Sequence, residues 1–130
     1  MSVDRPPRVR WAAKFRHAFR GAVLGFRGES SYYVHLPVAL VVVVLAACLA
    51  MPLVEWCLLI GCVSIVLVAE MFNSAIERLA KAITDRFHPE LRDALDMSSA
   101  AVLMAAGGAG LIGSVLFLRR LAVTFSLWPT

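Results

Sequence analysis

VHLPVALVVVVLAACLAMPLV, residues 34–54, is almost wholly apolar, with Val41 to Leu45 at its centre. A helix needs roughly 20 such residues to cross about 30 Å of hydrocarbon, so the stretch predicts a first transmembrane span over 34–54. Pro37 falls in the expected first turn, where a missing N–H costs little, and Pro52 stands at the end beside Glu55. That arrangement predicts a very short turn into the next element.

The next run, WCLLIGCVSIVLVA over 56–69, is followed by Glu70 to Ala82, where the helical pattern continues with polar groups confined to particular faces. One long helix over 56–82, leaving the membrane at its far end, is the expectation. His88 and Pro89 interrupt it, and a polar stretch to Asp93 leads into a third span over 94–118, with Asp96 near its start. Gly107, Gly108, Gly110 and Gly113 lie at membrane depth, with no preceding strand and no Lys-Ser or Lys-Thr pair after them. They predict close helix packing, not a phosphate loop.

Upstream of the first span, Trp11, Phe15, Phe19 and Phe26 recur near helical spacing among Arg8, Arg10, Lys14, Arg16 and Arg20. This pattern predicts an amphipathic helix at the membrane surface within 1–33, apolar side in the headgroup boundary and cations toward anionic lipid. The stretch has no uninterrupted apolar core of signal-peptide length, which argues against a cleaved secretory signal.

Hydrophobic residues make up 60% of the 130 and charged residues 17%, too apolar for a soluble domain of this size. The expected architecture is a single all-α integral membrane domain, a surface helix plus three transmembrane helices. The net charge of +4 suits nucleic acid or anionic headgroups in principle, and the apolar composition selects lipid, with no nucleic-acid partner expected. Cys48, Cys57 and Cys62 are odd in number and lie in apolar stretches, so they read as small buried hydrophobes. Of the Lys and Arg residues, seven precede the first span, four lie between the second and third, and two, Arg119 and Arg120, follow the third. The positive-inside rule then puts the N-terminus and the 78–93 loop in the cytoplasm of a multi-pass protein, with the two late arginines mildly opposed.

Ionisable groups at the edge of a span are costly, which makes Glu70, Asn73, Glu77 and Asp96 candidate functional residues. Glu70, Asn73 and Glu77 are spaced to stack on one face of the second helix, with Ser74 and Lys81 adjoining. Asp96 is expected at about the same depth, and Glu29 lies just before the first span. An oxygen-rich set of this kind suits a hard cation such as Mg²⁺. The competing reading is that these groups cap helix ends and pair with Arg78, Lys81 or Arg86. No Walker loop, GxGxxG turn, zinc helix or nucleophile elbow is present in the sequence.

The run EMFNSAIE at 70–77, then Asp85, His88 and DMSSAAV at 96–102, with the lead-in FRGAVLGFRGE at 19–29, resembles the signature of the prokaryotic diacylglycerol kinase family. The resemblance implies a homotrimer of three-span subunits in the bacterial inner membrane, moving the γ-phosphate of MgATP to a lipid alcohol at the cytoplasmic interface. By the same resemblance, Glu70 would be the general base and contact the acceptor together with Ser99, and Glu29 and Glu77 would hold Mg²⁺. Asn73, Glu77, Asp96 and Glu29 would serve the nucleotide site. Each site would be built across a subunit boundary, so that Glu29 and Glu70 come from different chains. Diacylglycerol is the first expected acceptor and undecaprenol the second, the latter because His35 resembles the undecaprenol kinase branch. Where the family usually carries a phosphate-contacting Lys, this chain has Leu95. Arg92, one turn earlier, or Lys81 is then the candidate substitute cation, and a non-catalytic member of the fold is the alternative.

Overall fold

A computed structural model describes residues 11–26 and 32–125. Four helices follow in order: α1, Trp11–Phe26; α2, Tyr32–Cys48; α3, Leu53–Ile83; and α4, Pro89–Thr124. Among the described residues there is no strand. α3 and α4 are long and apolar enough to cross a bilayer. The 17 residues of α2 rise about 25 Å at 1.5 Å each, the lower end of the spanning range. Leu103, Met104, Leu111 and Val115 on α4 are exposed, as are Val41, Val43 and Val44 on α2. Such a surface suits hydrocarbon as its solvent, because helices satisfy their own backbone groups and need no polar coat there. The chain is an all-α membrane protein.

The helix bounds depart from the apolar runs for local reasons. α2 ends at Cys48, short of the expected Val54, because the chain reverses there through a C-terminal cap. Ala50 N–H donates to Ala47 O at 3.1 Å, Met51 N–H donates to Ala46 O at 3.1 Å, and Ala50 adopts φ 47°. This is the Schellman pattern, with Ala where Gly is the usual choice, and its hydrophobic contact joins Met51 to Ala46, both buried. α3 can therefore start at Leu53, with Pro52 as its N-cap and Glu55 in its first turn. Pro37 lies inside α2, not in its first turn, so the N–H it lacks is one that Tyr33 O would have received. α4 starts at Pro89, a favoured first helical residue, with His88 as N-cap. It thus begins before the expected Ala94, and Asp96 stands in its second turn and not at its start.

Arg119 and Arg120, which run against the charge asymmetry, are both used at this turn. Arg120 donates Nε–H to Leu49 O at 2.9 Å and Nη2–H to Ala50 O at 2.7 Å, satisfying carbonyls that α2 leaves open at its end. Arg119 Nη1 lies 3.5 Å from the Glu55 carboxylate. Beside them sits the small core, Ala46, Met51, Leu59 and Leu116, with Val42, Leu49, Trp56 and Phe117 packed around it.

α3 and α4 form the main packed pair. α2 leans on them loosely, and an open apolar groove of about 670 Å³ remains among the three, lined by Val38, Val42, Val63, Val66, Gly110 and Phe117 and reaching His35. The glycines do not mediate close packing within this chain: a Cβ added at Gly107, Gly108, Gly110 or Gly113 would meet nothing within 4 Å. The expected close approach is absent because Gly110 and Gly113 border the open groove and touch no neighbouring helix.

At the other end, α1 is fixed to α3 by Arg78, whose Nη2 donates to Leu24 O at 2.8 Å. Trp11, Phe15 and Phe19 are exposed along α1, and Lys14 Nζ lies 4.9 Å from the centre of the Trp11 ring. An exposed aromatic row with cations beside it matches the expected interfacial helix.

Candidate functional site

The most completely buried side chains of appreciable size are polar. Glu70 is 1% exposed and Ser74 2%, both on α3, and Asn73 and Ser98 are buried with them. A three- and four-residue spacing along α3 puts Glu70, Asn73, Ser74 and Glu77 on one face, and that face is turned inward. Burial of a carboxylate costs several kcal/mol unless it is hydrogen-bonded.

Glu70 is held from one side only. His35 Nε2, on the second helix near its start, lies 2.8 Å from Glu70 Oε1, while Oε2 is buried and has no hydrogen-bond partner among the described residues. Ser74 Oγ is likewise buried without a partner among the described residues.

One turn along, α3 and α4 are joined by a polar relay. Asn73 Nδ2 donates to Glu77 Oε1 at 2.9 Å, and Asn73 Oδ1 accepts from Ser98 Oγ at 2.7 Å. A carboxylate accepts only, so its contact fixes which end of the Asn73 amide faces Glu77. Ser99 Oγ is 3.5 Å from Asn73 Oδ1 and 3.0 Å from Leu95 O. A hydroxyl has one proton, and the shorter contact claims it, so Ser99 donates to Leu95 O and Ser98 serves Asn73.

The remaining candidates are arranged differently. Asp96 is exposed, and Arg92 Nε stands 3.8 Å from its Oδ2 in an i,i+4 pair. Exposed pairs at such distances contribute little, which leaves Arg92 free to reach another anion. Leu95 is half-buried and Lys81 exposed. Arg78, one of the proposed pairing partners for the acids, is engaged with α1 instead. Glu29 lies outside the described residues.

The structure therefore brings together Glu70, Asn73, Glu77 and Ser98, with Ser99 at the edge. His35 joins them, although its sequence position pointed only to a branch of the resembling family. The available signal was that His35 is the one acidic or basic residue inside the apolar run 34–54. Ser98 gave no signal beyond its place in DMSSAAV.

Among the described residues no three His, Cys, Asp or Glu side chains are disposed to hold a metal ion. A small hard cation does not require such a cage. Mg²⁺ typically takes one or two carboxylates and completes its shell with substrate phosphates and water. Glu77, half-buried and steadied by Asn73, is suited to that part.

Comparison with known proteins identifies the family. Residues 16–117 match the family model described as prokaryotic diacylglycerol kinase. An undecaprenol kinase of Bacillus subtilis is 30% identical over 112 residues, 86% of this chain and 91% of that protein. A diacylglycerol kinase of Helicobacter pylori is 40% identical over 76 residues, 58% of this chain and 59% of that protein. The diacylglycerol kinase of Escherichia coli K12 is 33% identical over 89 residues, 68% and 73% respectively. The match spans both the α3 polar face and its α4 partners, and on it the chain belongs to the prokaryotic diacylglycerol kinase family of membrane lipid kinases.

Proposed function

We propose that the chain transfers the γ-phosphate of MgATP to the hydroxyl of a membrane lipid alcohol at the cytoplasmic face of the bacterial inner membrane. The observation that carries this reading is Glu70, a carboxylate 1% exposed with one oxygen unpartnered among the described residues, set beside the Asn73–Glu77–Ser98 relay in a lipid-facing bundle. A buried oxygen of this kind is a proton acceptor awaiting a donor, and a lipid hydroxyl arriving from the bilayer is such a donor.

Glu70 takes the hydroxyl proton, and Ser99 lies on the acceptor side. Asn73 orients Glu77, while Asp96 and Arg92 on the exposed flank of α4 face the nucleotide, Arg92 supplying the cation that Leu95 does not. Glu77 and Glu29 hold Mg²⁺, which when bound neutralises charge on the ATP phosphates.

Diacylglycerol, giving phosphatidic acid, is the acceptor first read from the sequence, and two relatives bearing that activity in their names are 40% and 33% identical. Undecaprenol is the second reading. It is favoured by the undecaprenol kinase match over 86% of this chain and by His35, set 2.8 Å from the base. The test is transfer of label from γ-labelled MgATP by the purified protein, offered each alcohol in turn. Labelled phosphatidic acid or labelled polyprenyl phosphate identifies the acceptor. No label with either removes the kinase reading and leaves a non-catalytic member of the fold.

A further inference from the structure

Glu70 and His35 form a pair whose geometry is one-sided. Their contact is 2.8 Å, and Glu70 Oε1 is the oxygen used. The histidine side chain is 23% exposed, the carboxylate 2%. Oε2 meets no donor. At this N···O distance a hydrogen lies between the two atoms, and such a bond to a carboxylate is among the stronger ones. A glutamate near the middle of a helix has three side-chain torsions to settle, and in an apolar setting a single strong bond decides how the carboxylate plane is turned.

We infer that His35 is a positioning residue for phosphotransfer, its Nε2–H holding Oε1 of Glu70 so that Oε2 is the atom that receives the acceptor's proton. This rests on the kinase reading above. In the step, the lipid oxygen forms a bond to the γ-phosphorus, and the bond from that phosphorus to the β,γ-bridging oxygen breaks. ADP leaves with the electron pair. The O–H bond of the lipid breaks, and its proton passes to Glu70 Oε2. His35 keeps its own proton throughout. Removal of His35 leaves the base in place but lets its carboxylate turn, and misplacement by an ångström is enough to reduce rate without preventing binding.

The test compares wild type, His35→Ala, His35→Gln and Glu70→Gln in lipid nanodiscs. The kcat and the KM for MgATP and for the acceptor are measured with diacylglycerol and with undecaprenol. Gln is chosen because its side-chain amide can place a donor near the position of Nε2 yet cannot carry an added proton. The expected result is a kcat for His35→Ala lower by roughly 10- to 100-fold, at or below the low end of the 10²–10⁴ typical of a general base itself, with both KM values nearly unchanged. His35→Gln should recover most of that loss. In the ¹⁵N spectrum the His35 Nε2–H of wild type should be strongly downfield and should move in Glu70→Gln, a readout independent of turnover and of how well His35→Ala folds. A wild-type rate in His35→Ala overturns the inference, as does a loss confined to KM, a His35→Gln as slow as His35→Ala, or an Nε2–H signal indifferent to Glu70. Silence of the wild type with both acceptors is a separate outcome, seen before any variant is made, and it removes the kinase reading and this inference together.

Discussion

At the scale of single residues, Glu70 and Glu77 sit on the same helical face yet have different surroundings, and this separates their expected phenotypes. Glu70 is buried with one oxygen unpartnered among the described residues, whereas Glu77 is half-buried and bonded to Asn73. Glu70→Gln is expected to lower kcat by roughly 10²–10⁴ with MgATP binding near normal, as loss of a base does. Glu77→Gln should shift the Mg²⁺ requirement upward as well. Titration of each variant with Mg²⁺ checks the difference, and full activity in either one takes that residue out of the mechanism. Leu95 leads to a second test. Among the described residues Arg92 is tied only to Asp96, at 3.8 Å on an exposed surface, so it can serve a phosphate. Arg92→Ala should raise the KM for ATP by about tenfold, the effect of losing one charged hydrogen bond. Leu95→Lys should then change little. A silent wild type that Leu95→Lys revives would show instead that the chain has lost phosphotransfer through that one position. The α3 part of the site was legible because helical spacing alone stacks Glu70, Asn73 and Glu77. The His35 contact was not, because it joins two helices whose relative rotation the apolar pattern of 34–54 leaves open.

At the scale of elements, apolar runs located α2, α3 and α4, but their ends were decided by contacts distant in sequence. The α2–α3 reversal depends on Ala50 at φ 47° and on Arg120, 71 and 70 positions from the carbonyls it binds. No local rule connects residues so far apart. Ala50 bears the steric penalty of the left-handed region, so Ala50→Gly should be stabilising by about 1 kcal/mol. Arg120→Ala removes two charged hydrogen bonds from the same turn and is expected to cost about 1.5–3 kcal/mol. Unfolding curves of both variants in one detergent give the comparison, and a destabilised Ala50→Gly would refute the cap argument. The same turn accounts for Arg119 and Arg120 on the side where the charge rule disfavours them. We propose, on the charge asymmetry, that the N-terminus is cytoplasmic. Single cysteines in place of Val3 and Trp128, with Cys48, Cys57 and Cys62 replaced, should label from opposite sides of the membrane. Labelling of both from one side would remove the three-span topology.

At the scale of the molecule, one chain leaves its own bundle incomplete: a groove of about 670 Å³ stays open among α2, α3 and α4, and a Cβ added at any glycine of α4 would meet no described atom within 4 Å. Small-residue faces let membrane helices approach closely, so these two features are surfaces on which other copies could pack, as the homotrimer implied by the sequence resemblance would require. The fold class was readable from composition because lipid demands an apolar exterior, whereas assembly was not, because an apolar face looks the same whether lipid or protein covers it. If each site takes Glu29 from one subunit and Glu70 from its neighbour, two inactive variants can repair one another. Glu70→Gln keeps Glu29, and Glu29→Gln keeps Glu70. In a cyclic trimer drawn from an equal mixture, three in four assemblies are mixed, and each mixed ring has one junction of three with both carboxylates intact, so about one quarter of wild-type activity should return. Co-refolding the two purified variants and assaying transfer against each variant alone measures this directly. Recovery near a quarter supports sites shared between subunits in a trimer, while no recovery, with mixed assemblies demonstrated by cross-linking, means that each chain carries both carboxylates of its own site.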